Sequence, residues 1–336
     1  MSQILAIKLC KAPVFQQSCS LLKQLPSRAI PVRNYATEGR DALARAARRQ
    51  TLKERAMAPT TGRVFNIGRG AVAGGSVLGL GALCYYGFSS GTGASALEQS
   101  HLWPQYVRDR IKTTYLYFGS SIAVTAASAA AAFRSPAILN LVTRNGFIGI
   151  GVSLAAIIGT GMLVRGIEYR PGFGPKQMAW LFHSAVMGAM VAPLCFLGGP
   201  ILMRAAWYTA GVVGGLSSIA VCAPNDTFLY MGGPLAMGLG VVFCSSIGSM
   251  FLPPTTALGA GLYSISLYGG LLLFSAFLLY DTQRIVMQAQ MYPKNPEYQG
   301  VRPYDPINSA ISIYLDTLNI FIRIATMLAM GQNKRK

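Results

Sequence analysis

Charge is scarce in this chain, and negative charge most of all. Of 336 residues 12% are charged, and 11 Asp and Glu stand against 29 Lys and Arg. A soluble domain carries about 25% charged residues, so half that density argues against an ordinary soluble fold. Histidine is nearly missing: His101 and His183 are the only two. A His-based zinc site and a Ser-His-Asp triad therefore lack parts. No GxxxxGK[ST], HExxH or GxSxG motif occurs, so phosphate-loop, zinc-protease and serine-hydrolase readings have no sequence support. Six cysteines include no CxxC pair. Cys84, Cys195, Cys222 and Cys244 fall in apolar runs and read as small buried hydrophobes, not as a disulfide frame. No stretch alternates apolar and polar over ten residues, which speaks against a membrane β-barrel.

The excess of positive charge, +18 overall, is concentrated at one end: residues 1–69 hold 13 basic and 3 acidic residues. No basic stripe is interleaved with aromatics, so nucleic acid is not an expected partner. Residues 1–35 carry Lys8, Lys11, Lys23, Arg28 and Arg33 with no acid, and apolar residues at roughly helical spacing. That is the composition of a mitochondrial transit peptide, and no apolar core of secretory type interrupts it. Residues 36–67 form a basic linker whose Arg45, Arg48, Arg49 and Arg55 would be drawn to anionic lipid.

Hydrophobic residues make up 52% of the chain, and mean hydropathy is +0.41. They gather in runs at 68–90, 114–133, 147–165, 177–198, 201–222, 233–252, 258–281 and 307–330, separated by breakers such as Gly198-Gly199-Pro200 and Pro253-Pro254. Each is near the ~20 residues that a helix needs to cross a bilayer. The expectation is an all-α polytopic membrane protein: an extra helix at 68–90, a bundle over 114–330 and a basic tail at 331–336. Glycines four apart, among them Gly70/Gly74, Gly75/Gly79 and Gly211/Gly215, are read as close helix packing. His183 sits inside the fourth run and is read as a packing residue.

Two of the eleven acids stand inside apolar runs: Asp281, in LLFSAFLLYDTQRI at the end of the seventh, and Asp316, in SAISIYLDTLNIFIRI in the last. An ionised Asp at the bilayer centre costs about 2.5–3.5 kcal/mol on the insertion scale, so intramembrane acids default to function. In the last run Ser309, Ser312, Asp316, Asn319, Arg323 and Thr326 recur at 3 and 4 residues, one helical face. The opposite face, Ile311, Ile313, Leu315, Leu318, Ile320 and Ile322, is expected to meet lipid. If the two helices are antiparallel neighbours, the carboxyls can meet. Close carboxylates share a proton, and their oxygens suit Ca2+. The bland alternative has Arg284 neutralise Asp281 and Arg323 neutralise Asp316.

Residues 114–330 resemble the transmembrane Bax-inhibitor-motif family. The likeness rests on AVMGAMVAPLCFLGGPILMRAAWYTAGVVGGLSSIA, APNDTFLYMGGPLAMGLG, LLLFSAFLLYDTQRI and AISIYLDTLNIFIRI. The leader and the run at 68–90 point to its mitochondrial branch. The resemblance implies a seven-helix bundle with the last helix central, plus the one extra helix. It implies a pH-sensitive Ca2+ leak or Ca2+/H+ exchange through a di-aspartyl latch in the mitochondrial inner membrane, with Asp281 and Asp316 as the pair. It implies a basic latch partner, and Arg165 in GMLVRGIEY falls nearest that place. Roles in cristae organisation and restraint of apoptosis belong to the same implication, with inner-membrane proteins and membrane lipid as partners. No enzyme activity and no cofactor are expected, Ca2+ being a transported or bound ion. The alternative is a non-transporting scaffold of the inner membrane. An intramembrane aspartyl protease would need a Gly-x-Gly before its second Asp, and Leu315 precedes Asp316 instead.

Overall fold

The computed structural model describes residues 63–89, 103–143, 147–224, 227–253, 255–293 and 303–333. The expected transit peptide, most of the basic linker and Lys334-Arg335-Lys336 lie outside them. Nine helices and no strand occur among the described residues. They are α1 (Arg63–Ser89), α2 (Gln105–Arg134), α3 (Pro136–Thr143) and α4 (Phe147–Gly166). Next come α5 (Pro175–Leu197), α6 (Gly199–Cys222), α7 (Leu229–Phe251), α8 (Ala257–Met291) and α9 (Pro306–Asn333). Six of these, α2 and α5 to α9, are long and apolar enough to cross a bilayer. In α1 and α4 the apolar stretch is shorter, Gly70–Tyr85 and Gly151–Gly166.

Every expected run lies in a helix, but two bounds move. α2 starts at Gln105 rather than 114, its polar first turns projecting beyond the apolar run. α8 continues past Asp281 to Met291, so Asp281 does not end its helix. The polar sequence DTQRIVMQAQ keeps helical geometry because one side of it remains buried: Thr282, Gln283, Ile285, Val286 and Ala289 all pack inward.

Two tight corners set the topology. Gly198, between α5 and α6, has φ +91°, a conformation that only glycine adopts without strain, and Pro200 opens α6. Between α7 and α8, the Thr256 hydroxyl accepts the Gly259 amide at 3.2 Å and caps α8. A Cβ on Gly259 would overlap the Pro253 carbonyl, so glycine is required there as well.

The core is built around α9. Its Ile313, Ile320 and Ala325 pack with Leu216 and Ala220 of α6 and Leu278 and Leu279 of α8. Ile307 and Ile311 pack on Val164 of α4 and Trp180 of α5. Ile311, Ile313 and Ile320 are almost fully buried, which corrects the expectation that this face meets lipid. α9 is surrounded by α2, α5, α6 and α8, so both of its faces are internal. Lipid is left for others: Leu78, Leu116, Met162, Trp207 and Met237 are widely exposed, as suits the outer wall of a bundle in hydrocarbon.

Two smaller expectations also change. Gly70, Gly74, Gly75, Gly211 and Gly215 face open space, and of the four-apart glycines among the described residues only Gly79 meets a neighbour, Leu272. The close approaches occur instead at Gly188, against Ser128 and the Thr125 carbonyl, and at Gly270, against Arg323. The cysteines are not buried: Cys222 and Cys244 are exposed and Cys84 and Cys195 half-buried, all free thiols.

Candidate functional site

Three pairs fix how α8 lies on α9. The Tyr292 and Tyr304 rings meet at 5.9 Å, the Asp281 and Asp316 carboxyls lie close enough to interact directly, and Arg323 lies 4.6 Å over the Phe274 ring. The helices are therefore antiparallel in constant register. Asp281 is ten residues before Met291 and Asp316 ten after Pro306. At 1.5 Å per residue both carboxyls lie about 15 Å from that end of the bundle. Gln283 secures the depth of α8. Its amide nitrogen donates to the Ala220 carbonyl at 3.2 Å and the Pro224 carbonyl at 2.8 Å, and its oxygen accepts the Phe228 amide at 2.8 Å.

Both carboxyls are buried. Two carboxyls this near each other repel when both are ionised, so the pair favours an occupant that brings positive charge, a proton or a cation. Arg284, one turn along α8, approaches Asp281 at 3.9 Å from a half-exposed position. Arg165 also bears on Asp281 electrostatically. Asp316 has no such help: its Oδ2 is buried without a hydrogen-bond partner among the described residues. Arg323 does not reach it, which removes the neutralised-pair alternative for Asp316.

A polar cavity of about 260 Å³ leads to Asp281 from the near end of the bundle. Arg165, Arg284, Gln288, Asn308, Ser309 and Ser312 line it, and Tyr292, Tyr304 and Asp305 stand at its mouth. Asn308 contributes a second buried oxygen without a partner. The Ser309 hydroxyl has two acceptors in reach of its one proton, the Gln288 side-chain oxygen at 3.3 Å and the Asp305 carbonyl at 3.1 Å.

The mouth is tied by two cations. Lys176, 1% exposed at the start of α5, pairs with the Asp305 carboxylate and donates to the Ile167 carbonyl at 2.9 Å. Asp305 in turn caps α9, its Oδ1 accepting the amides of Ile307 and Asn308, each at 3.1 Å. Arg110 of α2 donates to the carbonyls of Ala289, Tyr292 and Pro293 at 2.7–2.9 Å. These are the free carbonyls at the C-terminal end of α8. Arg110 also lies over the Tyr106 and Tyr304 rings. Burial pushes the Tyr304 phenol up, against the effect of its hydrogen bond to Thr114. Tyr169 is pushed up to about 12 by burial and by the nearby Tyr117 and Asp305. Both phenols therefore keep their protons at neutral pH.

Of the residues singled out in the sequence, the structure brings Asp281, Asp316, Arg165, Ser309 and Ser312 to one place. Asn319 and Arg323 lie deeper, beyond the pair, with Asn319 donating to the Leu315 carbonyl of its own helix at 2.9 Å. His183 is buried, its Nδ1 2.8 Å from the Thr160 hydroxyl and its Nε2 unpartnered. Sequence reasoning missed Lys176, Arg110, Gln283 and Gln288. Spacing could have found Gln288, one helical face with Asp281 and Arg284. Lys176, Arg110 and Gln283 act through contacts between distant segments, and no local pattern marks them.

The family model described as inhibitor of apoptosis-promoting Bax1 matches residues 107–333, which takes in the pair, the cavity and both cations at its mouth. The growth hormone-inducible transmembrane protein of Rattus norvegicus is 55% identical over 91% of this chain and 88% of its own. Bax inhibitor 1 of Oryza sativa subsp. japonica is 26% identical over 73% of this chain and 89% of its own. Bax inhibitor 1 of Drosophila melanogaster is 25% identical over 69% and 86%. No solved structure matches significantly.

Proposed function

The chain belongs to the family described as inhibitor of apoptosis-promoting Bax1, and on that premise we propose that it carries Ca2+ across the mitochondrial inner membrane in a pH-sensitive way. Asp281 and Asp316 are the ion-binding pair of this reading. The observation that carries it is the meeting of two buried carboxyls at the foot of a polar cavity. Ca2+ takes about 6–8 oxygens at 2.3–2.6 Å. The pair supplies up to four, and water entering through the cavity completes the set. Among the described residues no group of three or more His, Cys, Asp or Glu is placed to hold a metal. A site with two acids binds loosely enough to release a transported ion.

Two protons or one Ca2+ leave the pair with the same net charge, which suits leak or exchange with H+. Protons and Ca2+ compete for the same oxygens, so acid on the cavity side weakens Ca2+ entry. The acid-free basic leader supports the mitochondrial address. The family description supports a role in restraint of apoptosis, and the resemblance of the motifs extends the reading to cristae organisation.

The test is reconstitution of the full chain in liposomes with Ca2+ and pH dyes recorded together. Asp316→Asn is expected to abolish pH-dependent Ca2+ flux. Unchanged flux would remove the pair from the pathway and leave the scaffold reading in its place.

A further inference from the structure

Below the acid pair the polar face of α9 ends in a cation. Arg323 is seven residues past Asp316, about 10 Å further from the cavity mouth at 1.5 Å per residue. Its Nη1 donates to the Asn319 carbonyl at 3.1 Å and to the Asn319 side-chain oxygen at 3.0 Å. Its Nε donates to the Ser266 carbonyl at 3.3 Å. One face of the guanidinium lies on the Phe274 ring. The other side is Gly270, where a Cβ would overlap the guanidinium.

Ser266, Gly270 and Phe274 are four apart on α8 and form a seat shaped for this one side chain. The seat begins inside a π-helical turn, Ile265–Gly269. Such turns are rare and concentrate at functional sites. The Ser266 hydroxyl is bonded to that of Ser246 on α7 at 2.6 Å, which anchors the turn. All acceptors around Arg323 are neutral. Among the described residues no carboxylate pairs with it. Arg323 is half-buried, and a cation held there only by neutral dipoles keeps an uncompensated positive field that water screens less than at the surface.

Resting on the reading of Asp281 and Asp316 as the ion site, we propose that Arg323 is the barrier on the far side of the pair. It sets selectivity by charge. The cavity opens the pair to one side of the membrane, and the seated guanidinium closes the route to the other. An ion leaving the pair in that direction meets a fixed positive charge, and passage requires Arg323 to leave its seat. The energy of an ion in a fixed potential scales with its charge. The barrier therefore acts on a divalent ion with the square of its factor for a monovalent one: a threefold effect on K+ corresponds to about ninefold on Ca2+.

The experiment compares the full-length wild type with Arg323→Gln and Arg323→Lys in proteoliposomes. Ca2+ flux, K+ flux and leak of an uncharged solute, glycerol, are recorded on each. Arg323→Gln is expected to raise Ca2+ flux about tenfold, to raise K+ flux by less, and to leave glycerol leak unchanged. Arg323→Lys is expected to restore most of the barrier. Should Arg323→Gln fail to fold, Gly270→Ala displaces the guanidinium from its seat without removing the charge, and Ca2+ flux is again expected to rise more than K+ flux. Ca2+ flux that stays the same or falls in a folded variant overturns the proposal. So does an equal rise for Ca2+, K+ and glycerol, which reports a loosened bundle. Asp316→Asn runs in parallel. If it abolishes flux while Arg323→Gln changes nothing, the ion site stands and the barrier falls; if it leaves flux intact, both fall.

Discussion

α9 takes part in two polar regions inside the bundle, and they are built on opposite terms. On the side of α2 and α5, away from the charged cavity mouth, the paired groups are neutral. The Tyr314 and Thr125 hydroxyls meet at 2.6 Å, the Trp180 indole donates to Ser121 at 2.8 Å, and Ser128 donates to the Ala185 carbonyl at 3.0 Å. On the side of α8, two acids face each other and one carboxyl oxygen has no partner. Neutral hydrogen bonds with matched partners stabilise a helix interface, each by about 1 kcal/mol. An unsatisfied buried oxygen destabilises one. The first region holds the bundle together, and the second sets two acids against each other at a cost in stability.

The comparison is sharpest where stability and transport separate. Asp316→Asn is expected to eliminate pH-dependent Ca2+ flux while leaving thermal unfolding in detergent unchanged or raised. A large loss of stability instead would mean that the acids serve the architecture. Lys176→Met removes the cation at the cavity mouth and leaves Asp305 unpaired. Breaking a buried pair costs about 3–5 kcal/mol, and because Asp305 is 20% exposed the lower end is expected, read by denaturation of the purified protein. Gly188→Val forces a side chain against Ser128 and the Thr125 carbonyl, and overpacking of this kind costs about 1–3 kcal/mol. Tyr314→Phe is the mildest change. Thr125 keeps its second acceptor, the Ser184 carbonyl at 3.2 Å, so a loss of about 1 kcal/mol with wild-type flux is expected. Flux lost in Tyr314→Phe would place the neutral region in the pathway and break the comparison.

Much of this was legible from residue order alone. Long apolar runs marked the helices because a bilayer demands length and hydropathy together. Asp281 and Asp316 stood out because acids are rare there. The burial of Ile313 and Ile320 was not legible: apolar residues suit both lipid and a protein core, and the sequence does not distinguish them. The clamp of Arg110 on the end of α8, 179–183 residues away in the chain, has no local signature. The glycines misled in the same way. Spacing alone favoured Gly211 and Gly215, whereas the needed ones, Gly188 and Gly270, are defined by a hydroxyl and a guanidinium from other helices.

The π-helical turn of α8 has a consequence for the length of the chain. A π turn accommodates one residue more than the α-helical turn it replaces. Upstream, the Thr256 corner sets the rotational phase of residues 257–264; downstream, contact with α9 sets the phase of 270–291. Deleting one residue between 265 and 269 would let α8 run as a regular α-helix. Asp281 would stay in place, and the upstream segment would turn by about 100° around the helix axis. The five residues of that turn act as a phase adapter, reconciling two halves of one helix that answer to different neighbours.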